Sequence, residues 1–217
     1  MKFSKDFYLR ILSSIILIPT TIFIVHKGSV LFILFILIIL SLSIYEWHKM
    51  TYGKNYYFFG VIFILFSIYS VISIRLNNSS DAVFNFVYIL FVCIGTDIGG
   101  FSFGKIFKGP KLTKISPNKT YSGVLGSYLF SSLSIYLIIS NPFNYLPKTF
   151  EINFPILITT FILSTISQLG DLLISFFKRQ SNLKDTGRII PGHGGILDRI
   201  DGMLFAFPSF YFLNQLL

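Results

Sequence analysis

The residues best able to do chemistry are concentrated between Gln168 and Met203, a stretch that holds four of the nine acidic residues in this 217-residue chain. In it, carboxylates alternate with cations. The carboxylates are Asp171, Asp185, Asp198 and Asp201, and the cations are Lys178, Arg179, Lys184, Arg188 and Arg199. Carboxylate oxygens are the ligands that Mg²⁺ prefers, whereas Lys and Arg bind phosphate oxygens. The pattern therefore indicates a phosphate or polyphosphate substrate handled with one or two Mg²⁺ ions.

A glycine-rich segment lies in the same stretch, Pro191-Gly192-His193-Gly194-Gly195. Backbone without side chains can approach a ligand closely, and we expect a helix to begin at Ile196 with amides that favour an anion. The competing interpretation is that Lys178 and Arg179 only set topology or contact anionic lipids, and that the glycines only turn the chain. Asp171 resists this explanation, because an unpaired carboxylate inside an apolar helix is costly.

The elements that position these residues are predicted to be membrane helices. The chain is 53% apolar and 18% aromatic, with a mean hydropathy of +0.72. The chain has seven continuously apolar runs, each with about the length, or slightly less, that a helix needs to cross about 30 Å of hydrocarbon. Helices are predicted over strands because lipid offers no partner to an unpaired backbone group. The runs are Ile11 to Val25, Val30 to Tyr45, Tyr56 to Ile74, Ala82 to Phe101, Val124 to Ser140, Ile156 to Phe177 and Met203 to Leu217.

The fold class is therefore predicted to be all-α, a polytopic integral membrane protein with about seven transmembrane helices. We interpret the first run as a spanning helix and not as a cleaved signal peptide, because no small-residue cleavage pattern follows it. We predict a single membrane domain, 1–217. Residues 1–95 are expected to form scaffold helices, and 96–217 a catalytic half with cytoplasmic loops 104–122 and 177–199.

The distribution of positive charge predicts the orientation. Alternate loops hold 15 of the 18 Lys and Arg residues, which places the amino terminus and these loops in the cytoplasm. The net charge of +9 therefore reflects topology, and we predict no nucleic-acid partner. The single cysteine, Cys93, lies in an apolar run and is interpreted as a core or lipid-facing residue.

The stretch resembles the signature of the phosphatidate cytidylyltransferases, also called CDP-diacylglycerol synthases. The residues that carry the resemblance are Ser175-x-Phe177-Lys178-Arg179-x4-Lys184-Asp185-x-Gly187-x2-Ile190-Pro191-x-His193-Gly194-Gly195-Ile196-x-Asp198-Arg199-Ile200-Asp201. Two earlier segments are also similar to the family, Asp97-x-x-Gly100-Phe101-x-x-Gly104-Lys105 and Ser116-Pro117-x-Lys119-Thr120-x-x-Gly123. Glu46 resembles a family acidic position, although one Glu is weak support. The resemblance covers the second half of the chain well and the first 90 residues hardly at all.

The resemblance implies that CTP and phosphatidic acid are converted to CDP-diacylglycerol and pyrophosphate at the cell membrane. It implies Mg²⁺ ligation by Asp171, Asp198 and Asp201, and a homodimer. Lys178, Arg179, Lys184 and Arg199 are expected to bind phosphates, with Asp185 beside them and His193 as a phosphate contact or a residue behind one. Asp97, Ser116, Lys119 and Thr120 are second-rank candidates for the substrate or metal site.

The chain departs from the family at two positions, which puts the roles of those side chains in doubt. Phe101 follows Gly100 where relatives usually have Ala-Tyr, and Ser122 replaces an acidic residue.

Two other functions compete. A CDP-alcohol phosphotransferase also uses Asp clusters, but its Asp-Gly-x2-Ala-Arg pattern is missing after Asp201. A transporter of a phosphorylated solute would place its charges at the bilayer midplane, whereas these cluster at one side.

Overall fold

The structure is a computed structural model, and it describes residues 19–77, 79, 81–113, 115–139, 153–190 and 194–216. Residues 19–27 are helical. The helices that follow are α1 (Ser29–Thr51), α2 (Tyr57–Leu76), α3 (Ala82–Phe107), α4 (Tyr121–Ile139), α5 (Phe154–Gln180), α6 (Leu197–Ile200) and α7 (Met203–Leu216). The only β-type pairings in these residues are two isolated bridges, Lys111 with Thr120 and Ile190 with Gly194. The all-α prediction is confirmed.

Five helices, α1 to α5, are long and apolar enough to cross a membrane. They correspond to the second through the sixth apolar runs. The seventh run forms α7, which has only 14 residues and contains Pro208, so it is shorter than the roughly 20 residues that a full span needs. The first run lies mostly outside the described residues. The chain is thus a membrane protein with five candidate spans in its described part, and the predicted count of seven is not confirmed.

The two loops predicted to carry chemistry are shorter than expected, because the preceding helices extend further. Helix α3 continues to Phe107, so the predicted loop 104–122 begins only at Lys108. Helix α5 continues to Gln180, so Lys178 and Arg179 lie in its last turn. Lys105, Lys178 and Arg179 are therefore held in the last turns of helices and not in loops.

The chain divides into two compact units. One combines the described residues of 1–76 with 177–200, and the other combines those of 77–176 with 201–217. These limits differ from the predicted division at residue 95, since the segment 177–200 belongs with the amino-terminal helices and not with the rest of the second half.

In the first unit, α1 and α2 form a helical hairpin to which the segment 177–200 is attached. Trp47 Nε1 donates a hydrogen bond to the Tyr57 carbonyl at 3.0 Å across the turn. Lys54 in that turn donates to the Gln180 carbonyl at 3.1 Å and to the Ser181 hydroxyl at 2.7 Å. An ammonium at the end of α5 compensates the orphan carbonyls of the last helical turn. The turn between α1 and α2 therefore holds the end of α5, where the loop that carries Lys184 and Asp185 begins.

In the second unit, α3 and α4 cross with their backbones almost in contact. A Cβ atom added at Gly126 would lie 2.5 Å from the Gly99 carbonyl oxygen, and one added at Gly95 would lie 2.8 Å from the Phe130 carbonyl oxygen. Small residues allow such an approach between membrane helices, where dispersion and weak polar contacts replace the hydrophobic effect. The close crossing holds α4, and the loop before it, against α3.

Hydrogen bonds between buried hydroxyl groups connect α5 to the same pair of helices. Thr96 of α3 donates to the Ser164 hydroxyl at 2.8 Å, and the Tyr88 and Thr160 hydroxyls lie 2.9 Å apart. Helix α7 packs on the other side of α3 through aromatic rings, with Phe86 and Phe207 centroids 5.1 Å apart. Helix α3 is thus the common neighbour of α4, α5 and α7 in the second unit.

Replacing Gly126 by Ala should destabilise the second unit by about 1–3 kcal/mol, because the added methyl meets backbone of α3 that cannot move aside cheaply. The matched control is Gly104→Ala on α3, where the nearest atom to the new methyl is the Thr120 side-chain oxygen, at 3.1 Å. We expect a smaller loss there. Thermal unfolding of both variants in detergent measures the difference, and equal stability for both would contradict the role given to the close crossing.

Candidate active site

Asp171, the carboxylate that the sequence could not explain structurally, forms an ion pair with Lys119. The Lys119 ammonium lies 2.6 Å from Asp171 Oδ2, and the two side chains are 25% and 29% exposed. The same ammonium donates to the Gln168 carbonyl at 3.3 Å, and the Ser175 hydroxyl lies 3.3 Å from Asp171 Oδ1. Two predicted site residues, 52 positions apart in sequence, are thus brought together within the second unit.

The loop that carries Lys119 is folded by its own backbone and hydroxyl groups. The Leu112 amide donates to the Lys119 carbonyl at 2.8 Å, and the Tyr121 amide donates to the Pro110 carbonyl at 3.2 Å. Thr120 accepts the Gly123 amide at 3.1 Å and so acts as the N-cap of α4. The Thr120 hydroxyl, which was predicted to contact substrate, is therefore already engaged in a hydrogen bond within the protein.

Ser122, which replaces a family acidic residue, has a structural partner in this loop. Its hydroxyl donates to the Lys108 carbonyl and lies 2.9 Å from the Thr120 hydroxyl. Ser116 is half-buried, and its carbonyl accepts the Lys119 amide at 3.1 Å. The loop is thus closed around Lys119 without needing a carboxylate at position 122.

The remaining predicted carboxylates of the second unit differ in environment. Asp97 lies in α3 with its side chain exposed. Asp201 is buried and accepts the amide of Gly202 at 2.8 Å in the turn before α7. A Cβ atom added at Gly170 would lie 3.1 Å from the Asp201 carbonyl oxygen, so this turn packs directly against α5 beside Asp171.

In the first unit, Lys178 and Asp198 form a second ion pair. The Lys178 ammonium lies 2.8 Å from Asp198 Oδ1, with the side chains 10% and 6% exposed. Asp198 Oδ2 accepts the amides of Thr186 and Gly195 at 2.8 and 3.0 Å. Burial alone raises the pKa of Asp198, but the hydrogen bond and charge of Lys178 and the two amides outweigh burial, so the net pKa lies below the ordinary value. Asp198 is therefore held as a carboxylate.

A second carboxylate organises the same loop, and it was not among the predicted site residues. Glu46, near the end of α1, is 1% exposed. It accepts the Ile196 amide at 3.0 Å, the Leu197 amide at 2.9 Å and the Thr186 hydroxyl at 2.8 Å. The signal in the sequence was an acid inside an apolar helix, the same one that singled out Asp171, because such a group needs partners.

These contacts correct two expectations about the short helix α6. Its amino-terminal amides were expected to bind an anionic ligand, but those of Gly195, Ile196 and Leu197 are taken by the protein's own Asp198 and Glu46. Asp198 and Asp201 would share one face if the helix predicted to begin at Ile196 continued past both of them. Instead α6 ends at Ile200, and Asp201 lies in the following turn, whose backbone packs on α5.

The other cations and acids of the predicted site lie at the surface of the first unit. Arg179 is exposed and donates to the Leu183 carbonyl at 3.0 Å. Lys184, Asp185, Arg188 and Arg199 are also exposed. His193 lies outside the described residues. The exposed cations are placed where a phosphate can reach them, whereas the ammonium of Lys178 is already neutralised.

Metal binding by the predicted aspartates stays a prediction. Within each unit, the described residues contain no group of three or more His, Cys, Asp or Glu side chains arranged to hold a metal ion. Asp171 and Asp201 belong to the second unit and Asp198 to the first. Each of the three carboxylates accepts hydrogen bonds from the protein, and Asp171 and Asp198 each balance a lysine.

Comparisons with known proteins identify the family of the chain. The chain matches the model of the cytidylyltransferase family over residues 54–217. It is 37% identical to the phosphatidate cytidylyltransferase of Rickettsia bellii over 99% of this chain and 94% of that protein. The chain belongs to the cytidylyltransferase family. The match covers α2 to α7 and both ion pairs.

Two other phosphatidate cytidylyltransferases are similar to this chain over different shares of its length. The phosphatidate cytidylyltransferase of Rickettsia prowazekii is 37% identical over 98% of this chain and 94% of its own length. That of Bacillus subtilis is 39% identical over 61% of this chain and 49% of its own length. The expectation that the first 90 residues hardly share the resemblance was too narrow, because the rickettsial similarity extends over almost the whole chain.

Proposed function

We propose that this protein is a phosphatidate cytidylyltransferase. It transfers the cytidylyl group of CTP to phosphatidic acid and gives CDP-diacylglycerol and pyrophosphate. The observation that carries the proposal is the near full-length similarity to proteins of that name, combined with a signature whose charged residues are held in defined positions. The substrates fit the site, since one is a triphosphate and the other a phosphate at a membrane surface.

The chemistry needs positioned charge more than proton transfer. The phosphate of phosphatidic acid is already ionised and attacks the α-phosphorus of CTP, so that one P–O bond forms while the bond to the leaving pyrophosphate breaks. Catalysis of such a step rests on orientation and on neutralising charge at the reacting phosphates. Arg179, Lys184 and Arg199 are exposed and supply that charge directly. Lys178 and Lys119 supply it from their ion pairs with Asp198 and Asp171.

Mg²⁺ is the cofactor that the family resemblance implies, and the donor set fits a hard cation. Asp171, Asp198 and Asp201 offer only carboxylate oxygens, and Asp171 and Asp198 already balance a cation, the ammonium of Lys119 or Lys178. We assign Mg²⁺ binding to these three aspartates. When bound, the ion neutralises phosphate oxygens and orients CTP. At Asp198 the ion would bind Oδ1 in exchange for the Lys178 ammonium, because Oδ2 accepts the amides of Thr186 and Gly195.

The activity itself is tested with the purified protein in detergent. Radiolabelled CTP and phosphatidic acid should yield labelled CDP-diacylglycerol and one pyrophosphate per product. A control without phosphatidic acid should release none. Product formation from CDP-diacylglycerol and an alcohol would instead support a CDP-alcohol phosphotransferase, and accumulation of an unmodified phosphorylated solute in vesicles would support a transporter.

Asp171→Asn should lower kcat on the order of 100-fold or more and raise the Mg²⁺ concentration needed for half-maximal rate, because Asn keeps the size but removes the charge. The control is Lys119→Met, which breaks the same ion pair without removing the carboxylate. It should raise KM for CTP but not raise the Mg²⁺ midpoint, because the freed carboxylate no longer has to exchange an ammonium for the ion. If the pair is only structural, both variants lose stability alike and neither shifts the Mg²⁺ titration.

We also propose that the two basic loops face the cytoplasm of the cell membrane, with the amino terminus on the same side. The charge asymmetry supports this orientation, because Lys and Arg are concentrated in these loops. The family's dimer stays a prediction, since the contacts described above belong to one chain.

Single cysteines test the orientation in a Cys93→Ala background. Asn118 and Gln180 are exposed at the two basic loops, and Ser79 is exposed in the turn between α2 and α3. An impermeant thiol reagent added to intact cells should label Ser79→Cys and spare Asn118→Cys and Gln180→Cys until the membrane is opened. Labelling of Asn118→Cys or Gln180→Cys in intact cells would reverse the orientation.

A further inference from the structure

The carboxylate of Glu46 connects parts of the chain that are far apart in sequence. Its three donors, Thr186, Ile196 and Leu197, are 140, 150 and 151 residues further along the chain. Both carboxylate oxygens are used, Oε1 by Ile196 and Oε2 by Leu197 and Thr186. A carboxylate that accepts several donors in a buried place is strongly held, because removing it leaves those donors unsatisfied.

The loop is also shaped sterically around this side chain. A Cβ atom added at Gly195 would lie 2.6 Å from Glu46 Oε1, and one added at Gly187 would lie 3.0 Å from the Glu46 carboxyl carbon. The two glycines therefore allow the backbone to approach the protein's own carboxylate. This gives a physical reason for part of a glycine-rich segment that the sequence suggested would approach a ligand.

The residues within and on both sides of the segment that carries the donors bring charge to the surface. Lys184 and Asp185 immediately precede Thr186, Arg188 follows it, and Asp198 and Arg199 follow Leu197. Thr186 also gives its amide to Asp198, whose other oxygen holds Lys178. A continuous series of hydrogen bonds thus runs from Glu46 through Thr186 and Asp198 to Lys178, all within the first unit.

We propose that Glu46 is a positioning residue for cytidylyl transfer, which fixes residues 184–190 and 194–199 so that their cations meet the substrate phosphates. This inference rests on the proposed function. Glu46 does not itself touch substrate, because it is 1% exposed and its oxygens are filled. Orientation of bound groups contributes strongly to phosphoryl and nucleotidyl transfer, so a displaced loop reduces rate even when the fold persists.

The informative variant is Glu46→Gln, which retains shape but replaces one oxygen by an amide group that cannot accept. At least one of the three donors then faces another donor. Loss of a hydrogen bond to a charged group corresponds to about a 10- to 100-fold change in an equilibrium constant. We expect kcat/KM for CTP to fall by a factor in that range per folded molecule. Thr186→Val should lose less, and Thr186→Ser, which keeps the hydroxyl, should restore near-normal turnover.

Limited digestion with trypsin measures the loop independently of activity. Lys184 and Arg188 are exposed basic residues within the held segment, and Lys108 and Lys111 are exposed basic residues in the second unit. Glu46→Gln should increase the rate of cleavage after Lys184 and Arg188 about 10-fold or more. Cleavage after Lys108 and Lys111 should not change, and the thermal midpoint should move little compared with the change in kinetics.

The outcomes separate the inference from the function on which it rests. Faster loop cleavage together with reduced kcat/KM and rescue by Thr186→Ser supports the positioning role. Unchanged cleavage and unchanged kinetics in Glu46→Gln overturn it, and so does a lowered thermal midpoint with normal kcat/KM per folded molecule, which indicates a purely structural residue. If the wild-type protein forms no CDP-diacylglycerol, the proposed function fails whatever the digestion shows.

Discussion

The cost of burying charge is the constraint on which the described contacts depend. A carboxylate or ammonium removed from water at a membrane border needs an opposite charge or several hydrogen bonds. Glu46 meets the requirement with two amides and a hydroxyl, and Asp198 with an ammonium and two amides. Since the donors to Glu46 are 140, 150 and 151 residues away in sequence, satisfying this one charge also fixes the loop that carries the donors.

One consequence concerns how an anionic substrate can be bound in the first unit. Backbone amides at a helix start are a common anion site, but here those of Ile196 and Leu197 are taken by Glu46. The Glu46 carboxylate thus occupies the amides that an anionic ligand would otherwise bind at the start of α6. Under the proposed function, the substrate phosphates are left to side-chain cations such as Arg179 and Lys184, which are exposed. Bidentate contact by Arg suits that role better than a point charge.

The sequence predicted the helices of the fold, but not the contacts that the charged residues make. Continuous apolar runs specify helices, because in lipid only a helix satisfies the backbone hydrogen bonds within a single segment. The helical fold is confirmed by the structure. The charged residues of the signature were found because their types suit phosphate chemistry. Partners could not be predicted, since pairing of Lys119 with Asp171 depends on how α4 and α5 pack in three dimensions. Glu46 was undervalued because one acid in a helix carries no spacing pattern, and α6 is too short for periodicity to reveal where it ends.

The pairing of Lys119 with Asp171, and of Lys178 with Asp198, also determines which charges a substrate must supply to separate a pair. Separating a buried pair such as Lys178 and Asp198 costs on the order of 3–5 kcal/mol when one partner is left alone. A phosphate that takes the ammonium returns only about 1.5–3 kcal/mol for each charged hydrogen bond. The exchange is therefore unfavourable unless the released carboxylate oxygen gains a cation at the same time. Under the proposed function, CTP bound with Mg²⁺ would provide both, phosphate charge for the lysine and a cation for the aspartate. A phosphate without metal would provide only the first, so the proposed exchange would favour the metal-bound nucleotide over free phosphate.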